Sequence, residues 1–70
     1  MLENVKITTD YITLGQFLKL TGIIDSGSLA KIFLLDNKIL VNGELETRRG
    51  RKLYPEYQIS ILGHNYVIKK

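Results

Sequence analysis

The chain contains no cysteine, which excludes a disulfide framework and thiolate metal ligands as braces for a 70-residue fold. It has one histidine, His64, in a Gly63-His64-Asn65 segment that reads as a turn, with no motif to supply a catalytic or metal-binding partner. No metal-ligand spacing, phosphate-binding glycine loop or nucleophile motif is present, so neither a metal, a cofactor nor an enzymatic activity is expected. No apolar run approaches the roughly 18 residues of a membrane span. The start, Met1-Leu2-Glu3-Asn4, lacks the basic and apolar segments of a signal peptide, and the expectation is a soluble cytoplasmic protein without membrane partners. A chain this short buries only about 60% of its unfolded surface, leaving little room for a deep cleft. Residues 1–70 are therefore read as one domain.

What is present is an ordinary globular composition, 44% hydrophobic and 24% charged, with a net charge of +3 and a pI near 9.3. That balance favours nucleic acid or another anionic surface, and its distribution matters more than its total. Lys6 and Lys19 are offset in the first 25 residues by Glu3, Asp10 and Asp25, whereas Arg48-Arg49-Gly50-Arg51-Lys52 holds four of the ten basic side chains without an acidic residue between them. Arginine forks contact phosphate oxygens in a bidentate geometry, and Gly50 lets the backbone bend and approach a ligand. A solvated basic loop is the alternative reading of such a cluster.

Val5 and Ile7 alternate with polar neighbours, which predicts an N-terminal strand extending towards Thr9 and ending near Asp10. Thr13 and Gln16 have capping-box spacing, and Ile12 with Phe17 matches a hydrophobic staple. A first helix is thus predicted over Leu14–Thr21, with Leu14, Phe17, Leu18 and Thr21 inward, Gln16 and Lys19 outward, and Gly22 ending it. Asp25 or Ser26 can cap a second helix of about eleven residues, whose Leu29, Ala30, Ile32, Phe33 and Leu34 predict a broad buried surface. Asn37 suits a left-handed position after it. Ile39-Leu40-Val41, the Asn42-Gly43 turn, and Leu45 with Thr47 predict a β-hairpin. Strands at Gln58–Ile61 and Tyr66–Ile68 follow, with Pro55 marking a loop or edge. The fold class is α+β: a two-helix hairpin packed on a small, mostly antiparallel sheet.

The run Ser26-Gly27-Ser28-Leu29-Ala30-Lys31-Ile32-Phe33-Leu34-Leu35-Asp36-Asn37-Lys38-Ile39-Leu40-Val41-Asn42-Gly43 resembles the signature of the RNA-binding domain named after small-subunit ribosomal protein four, the S-four domain. Leu14–Thr21 resembles its first helix, and the likeness covers roughly residues 11–62. Leu14-Gly15-Gln16-Phe17-Leu18-Lys19, Asn42-Gly43-Glu44 and Glu46-Thr47-Arg48-Arg49-Gly50-Arg51-Lys52-Leu53 are similar to the short stand-alone YaaA type. The resemblance implies an αL-type fold that binds structured RNA, ribosomal RNA or a ribosomal particle foremost, in ribosome assembly, maturation or translation. Three departures stand out: Gly27 where many members have arginine, Asn37 for a usual glycine, and Glu56-Tyr57 for a common Gly-Asp turn.

Within that frame Arg48, Arg49, Arg51 and Lys52 are the expected phosphate-neutralising residues. Lys31 matches the family's basic residue on the second helix, and Ser26 and Ser28 could join it on phosphate or act only as caps. Lys19 extends the surface along the first helix, whereas Gln16 is accounted for by its capping box. Tyr54 and Tyr57 could stack on unpaired bases, although packing is the commoner role for tyrosine. Glu44 and Glu46 share one strand face and are read as partners that orient the arginines. Lys69 and Lys70 read as a frayed end. The rival reading is a protein-interaction module that docks an acidic partner through the basic loop. The oligomeric state stays open with a monomer favoured, since an open strand edge permits dimerisation without compelling it.

Overall fold

A computed structural model describes residues 2–70. The elements, in order, are β1 (Leu2–Lys6), β2 (Ile12–Thr13), α1 (Leu14–Leu20), a 3-10 turn (Gly27–Leu29), α2 (Ala30–Asp36), β3 (Ile39–Val41), β4 (Glu44–Leu45), β5 (Lys52–Leu53), β6 (Gln58–Ile61) and β7 (His64–Lys69). Five strands form one sheet in the order β1-β7-β6-β3-β4, while β2 and β5 form a separate two-stranded ribbon. Every pairing is antiparallel except β1 with β7, so the α+β, mostly antiparallel expectation holds.

The period-2 pattern explains which sheet face is covered. Ile39 and Val41 of β3, Ile59 and Ile61 of β6, and Tyr66 and Ile68 of β7 are buried, and they join Val5, Ile7, Leu14, Phe17, Leu18, Leu34 and Leu53 in one hydrophobic cluster. Phe17 is fully buried with its ring edge-on to Tyr66 at 5.3 Å. Truncating such a residue to alanine typically costs about 3–5 kcal/mol.

Helix α1 begins as its sequence dictates. The Thr13 hydroxyl accepts from the Gln16 amide and the Gln16 side chain accepts from the Thr13 amide, at 3.2 and 2.8 Å. Leu14, Phe17 and Leu18 face the core, Ile12 packs against it, and Thr21 is half-buried as the C-cap. The second helix departs from expectation. Its first turn is 3-10, α2 spans only seven residues, and Ser26 makes no side-chain cap. Only Ala30 and Leu34 are buried, whereas Ile32, Leu29 and Leu35 are exposed, so the broad apolar surface is largely open to solvent. Asn37 is extended (φ −130°) instead of left-handed, and its side-chain amide donates to the Phe33 carbonyl, a satisfaction of the helix end that glycine could not supply.

The Asn42-Gly43 turn has positive φ at both residues (52° and 86°), as a type I′ hairpin requires. Asn42 Oδ1 also accepts from the Gln58 amide at 2.9 Å, tying that turn to β6. The β6–β7 connection uses the same geometry at Leu62 and Gly63 (52° and 81°), so His64 and Asn65 lie in β7 and not in the turn. The strand predicted to extend towards Thr9 is displaced to residues 2–6, because Ile7 donates the last rung to Lys69 O. Tyr54-Pro55-Glu56-Tyr57 closes a turn through Tyr57 N to Tyr54 O at 3.1 Å, with Glu56 at φ 76°. A family Gly-Asp turn would have no Cβ at the left-handed position, and Glu56 keeps that backbone shape in spite of one. Lys69 pairs with Glu56 and Lys70 with Asp10, in place of the frayed end expected for both.

Candidate nucleic-acid interface

The basic segment leaves β4 and returns as β5, and its backbone is tied to the start of α1. Leu14 N donates to Arg51 O and Gly15 N donates to Arg49 O, each at 2.8 Å. These amides are among the first four of the helix, which have no intrahelical acceptor, so the loop supplies what the helix lacks. Because Gln16 N is held by Thr13, the first three amides of α1 are all occupied and offer no free donor. Arg51 N donates to Arg48 O at 3.2 Å and closes the turn itself. Gly50 is not left-handed, and nothing lies within 4 Å of where its Cβ would be. Its contribution is an open loop tip instead of a special backbone conformation.

Gly15 marks the point where three elements meet. A Cβ there would stand 3.4 Å from Arg49 O, 3.6 Å from Arg49 Cβ and 3.7 Å from Ala30 Cβ. The loop, the start of α1 and the start of α2 are thus gathered around one position without a side chain. Lys31 follows Ala30 in the chain and is exposed on α2.

Glu46 organises the loop. It is only 6% exposed, and its carboxylate accepts from Thr47 N, Arg48 N, Arg48 Nε, Arg48 Nη2 and Arg51 Nη1 at 3.0–3.2 Å. The Arg48 guanidinium, seconded by the Arg48 amide and Arg51, holds its pKa down at about 2 against the opposing effect of burial. Glu46 correspondingly raises the pKa of Arg48. One negative charge therefore lets adjacent arginines occupy a tight turn without mutual repulsion opening it. The reading of Glu46 as an orienting carboxylate fits this geometry, whereas Glu44 is exposed and holds none of these arginines.

The candidate residues separate into distinct environments. Arg48 is held by Glu46 while its side chain remains 72% exposed. Arg51 is more enclosed, 30% exposed, with its Cζ 5.9 Å from the Tyr57 ring centroid. Arg49 is exposed and makes no ion pair among the described residues. Lys52 is exposed on β5 with its Nζ 5.0 Å from the Tyr11 ring centroid. Ser26 and Ser28 hydrogen-bond to each other, Oγ to Oγ at 2.9 Å. Lys19 is exposed in the last turn of α1, about 6 Å further along the helix axis than Gly15, beside Gln16 and Leu20.

Two contributors escape a reading by periodicity: the Gly15 junction and the β2–β5 ribbon, which places Tyr11 beside Lys52. Two-residue strands are too short for a pattern, although the mirrored apolar positions Ile12 and Leu53, now cross-strand partners, are a trace of it. Among the described residues no group of three or more His, Asp or Glu side chains could hold a metal ion. Among the described residues no helix is long and apolar enough to cross a membrane.

A small α+β scaffold that displays a carboxylate-ordered arginine turn beside two helix starts is the arrangement of a nucleic-acid-binding module. Residues 5–69 match the family model described as S4 domain, and the chain belongs to that family. It is 51% identical over 63 residues to a Bacillus subtilis (strain 168) protein named "Probable ribosome maturation protein RlbA", covering 90% of this chain and 89% of the relative. It is 34% identical over 55 residues to an Escherichia coli (strain K12) protein named "Putative RNA-binding protein YbcJ", covering 79% of each.

Proposed function

We propose that this protein is a non-catalytic RNA-binding module that engages structured ribosomal RNA during ribosome maturation in the cytoplasm. The observation that carries the reading is the loop of residues 48–52, fixed to the start of α1 through Gly15 and Leu14 and internally ordered by Glu46. Rigid placement matters because a preordered arginine turn loses less conformational freedom on binding than a mobile one. The family and the printed names of the two relatives support RNA and ribosome maturation as the setting.

Arg48, Arg49, Arg51 and Lys52 neutralise phosphates, with Lys31 and Lys19 extending the surface and Ser26 and Ser28 as neutral donors at its edge. The shape of a folded RNA sets selectivity, since side chains cannot read a deep, narrow A-form major groove. With four to six phosphate contacts, the slope of log K against log salt is roughly −3 to −5.

The test is a titration of the protein with a structured ribosomal RNA fragment and with duplex DNA of matched length across a salt series. A double variant, Lys31→Ala with Arg49→Ala, removes exposed charges that leave the Glu46 network intact. Tighter binding to RNA, with a salt slope shallower by about 2 in the variant, supports the reading. Equal, feeble binding to both nucleic acids overturns it and points to an acidic protein partner.

A further inference from the structure

Beyond the charged turn, the β2–β5 ribbon carries an aromatic surface that phosphate binding does not use. Leu53 is fully buried and Ile12 packs on the core, so strand alternation turns Tyr11, Lys52 and Tyr54 to the outside. Tyr11 and Tyr54 each stand one residue beyond the Ile12–Leu53 pair, and their rings meet at 5.5 Å with a 46° tilt. Both remain exposed, 38% and 40%, whereas the other tyrosine and phenylalanine rings are more enclosed. Tyr57 supports Tyr54 from behind at 5.7 Å, edge to face, and is itself half-buried against the core. The Tyr11 loop is fixed by the Thr9 hydroxyl, which donates to Tyr11 O at 2.7 Å.

We infer that Tyr11 and Tyr54 form a stacking site for an unpaired nucleobase of the RNA whose adjoining phosphates lie on the basic loop. Lys52 is the link: it follows directly on Arg51 in the chain and places its ammonium 5.0 Å from the Tyr11 ring centroid. Successive phosphates and bases of a single strand alternate between charge and π-face, and the surface presents both in that order. A tilted pair of tyrosines leaves ring area uncovered that a purine plane would cover, while the cation beside it neutralises the phosphate of the same nucleotide. The preferred ligand is then a structured RNA with a single-stranded extension or bulge at the end of the helical part, and not a fully paired stem. This site rests on the RNA-binding reading above and adds a requirement to it.

The experiment compares a fluorescently labelled RNA hairpin that ends blunt with the same hairpin carrying a short unpaired adenosine tail, for the wild type and for Tyr54→Leu, Tyr54→Phe and Tyr11→Leu. Thermal melts establish that each variant is folded, and leucine preserves apolar packing while removing the π-face. The wild type is expected to bind the tailed RNA about tenfold tighter than the blunt one. Tyr54→Leu and Tyr11→Leu lose that difference without weakening the blunt complex, and Tyr54→Phe retains it. Equal affinity of the wild type for both RNAs, or equal losses on both in the leucine variants, overturns the stacking site and leaves RNA binding standing. Failure of the wild type to bind either RNA overturns the RNA reading and the stacking site together.

Discussion

Gly15 donates its amide to the Arg49 carbonyl at 2.8 Å, and no side chain stands between them. A helix start ordinarily satisfies its orphan amides with water or caps. Here one of them fixes the backbone of Arg49, the arginine of the charged loop outside the Glu46 ion pairs, so the orientation of that loop is a property of α1. The sequence from Thr13 to Gln16 thereby serves two ends: Thr13 and Gln16 cap the helix, and Leu14 and Gly15 hold the loop.

Substitution at Gly15 tests this coupling. An alanine Cβ would make ordinary contacts, the nearest 3.4 Å from Arg49 O, so Gly15→Ala is expected to stay within about 1 kcal/mol of wild type and to keep RNA affinity. Gly15→Leu must push the loop or α2 aside, costing about 1–3 kcal/mol. Denaturant melts and RNA titrations of both variants check this. A leucine variant with unaltered stability and affinity would show that the junction is looser than its geometry.

Glu46 makes stability depend on pH in a defined direction. Its pKa is about 2 in the folded chain against an ordinary 4.5, so its stabilisation is fully present above about pH 4.5 and is lost as pH falls towards 2. Solvent around exposed Arg48 screens part of the interaction, leaving about 2 kcal/mol at neutral pH. Urea melts of wild type and Glu46→Gln should differ by that amount at pH 7 and converge as the pH drops through this window. Parallel curves across the whole range would mean that the carboxylate charge contributes nothing.

Much of the fold was legible because its signals are local. The Thr13–Gln16 box, the Asn42-Gly43 turn and the strands at Ile39–Val41 and Gln58–Ile61 each span only a few residues, and each appears as read. Ile32 and the β2–β5 ribbon were not legible, for non-local reasons, and Asn37 was misjudged because a local side-chain bond competes with the left-handed cap. Asn37 is extended because its amide side chain reaches back to Phe33, and Ile32 is exposed because the apolar stripe of α2 is wider than the surface it meets. The ribbon depends on residues 12 and 53 meeting across the chain. Of the site, the charged loop could be read from composition, and a carboxylate beside it was read as an arginine partner, although strand period could not tell Glu46 from Glu44, since β4 ends at Leu45. That Arg49 is pinned at Gly15 could not be read, since a mid-sequence glycine carries no mark of what approaches it.

Arg51 and Arg49 should separate stability from binding. Arg51 Nη1 donates to Glu46 at 3.0 Å beside the Tyr57 ring, so Arg51→Ala leaves a buried carboxylate short of a partner and should cost about 1–2 kcal/mol. Arg49→Ala should change stability by no more than about 0.5 kcal/mol and still weaken RNA binding. Thermal melts beside RNA titrations of the two single variants decide the matter. Equal destabilisation by both would dissolve the distinction between an arginine that also braces the loop and one that serves binding alone.

Leu62 offers a gain in stability away from the interface. It occupies the first central position of the β6–β7 turn at φ 52° and is 62% exposed, so it combines backbone strain with little burial to offset it. For a residue with a Cβ, left-handed backbone costs roughly 1–2 kcal/mol, and asparagine tolerates it best because its short polar side chain can bond locally. Asn42-Gly43 shows this chain already using that solution in the neighbouring hairpin. Leu62→Asn should therefore stabilise the protein by about 0.5–1 kcal/mol. That corresponds to about 2–8 °C in Tm for a domain of this size. RNA affinity should be unchanged, because the turn belongs to the β6–β7 hairpin while the charged loop is held by β4, β5 and α1. A lowered Tm would mean that the Leu62 side chain makes contacts whose loss outweighs the relief of strain.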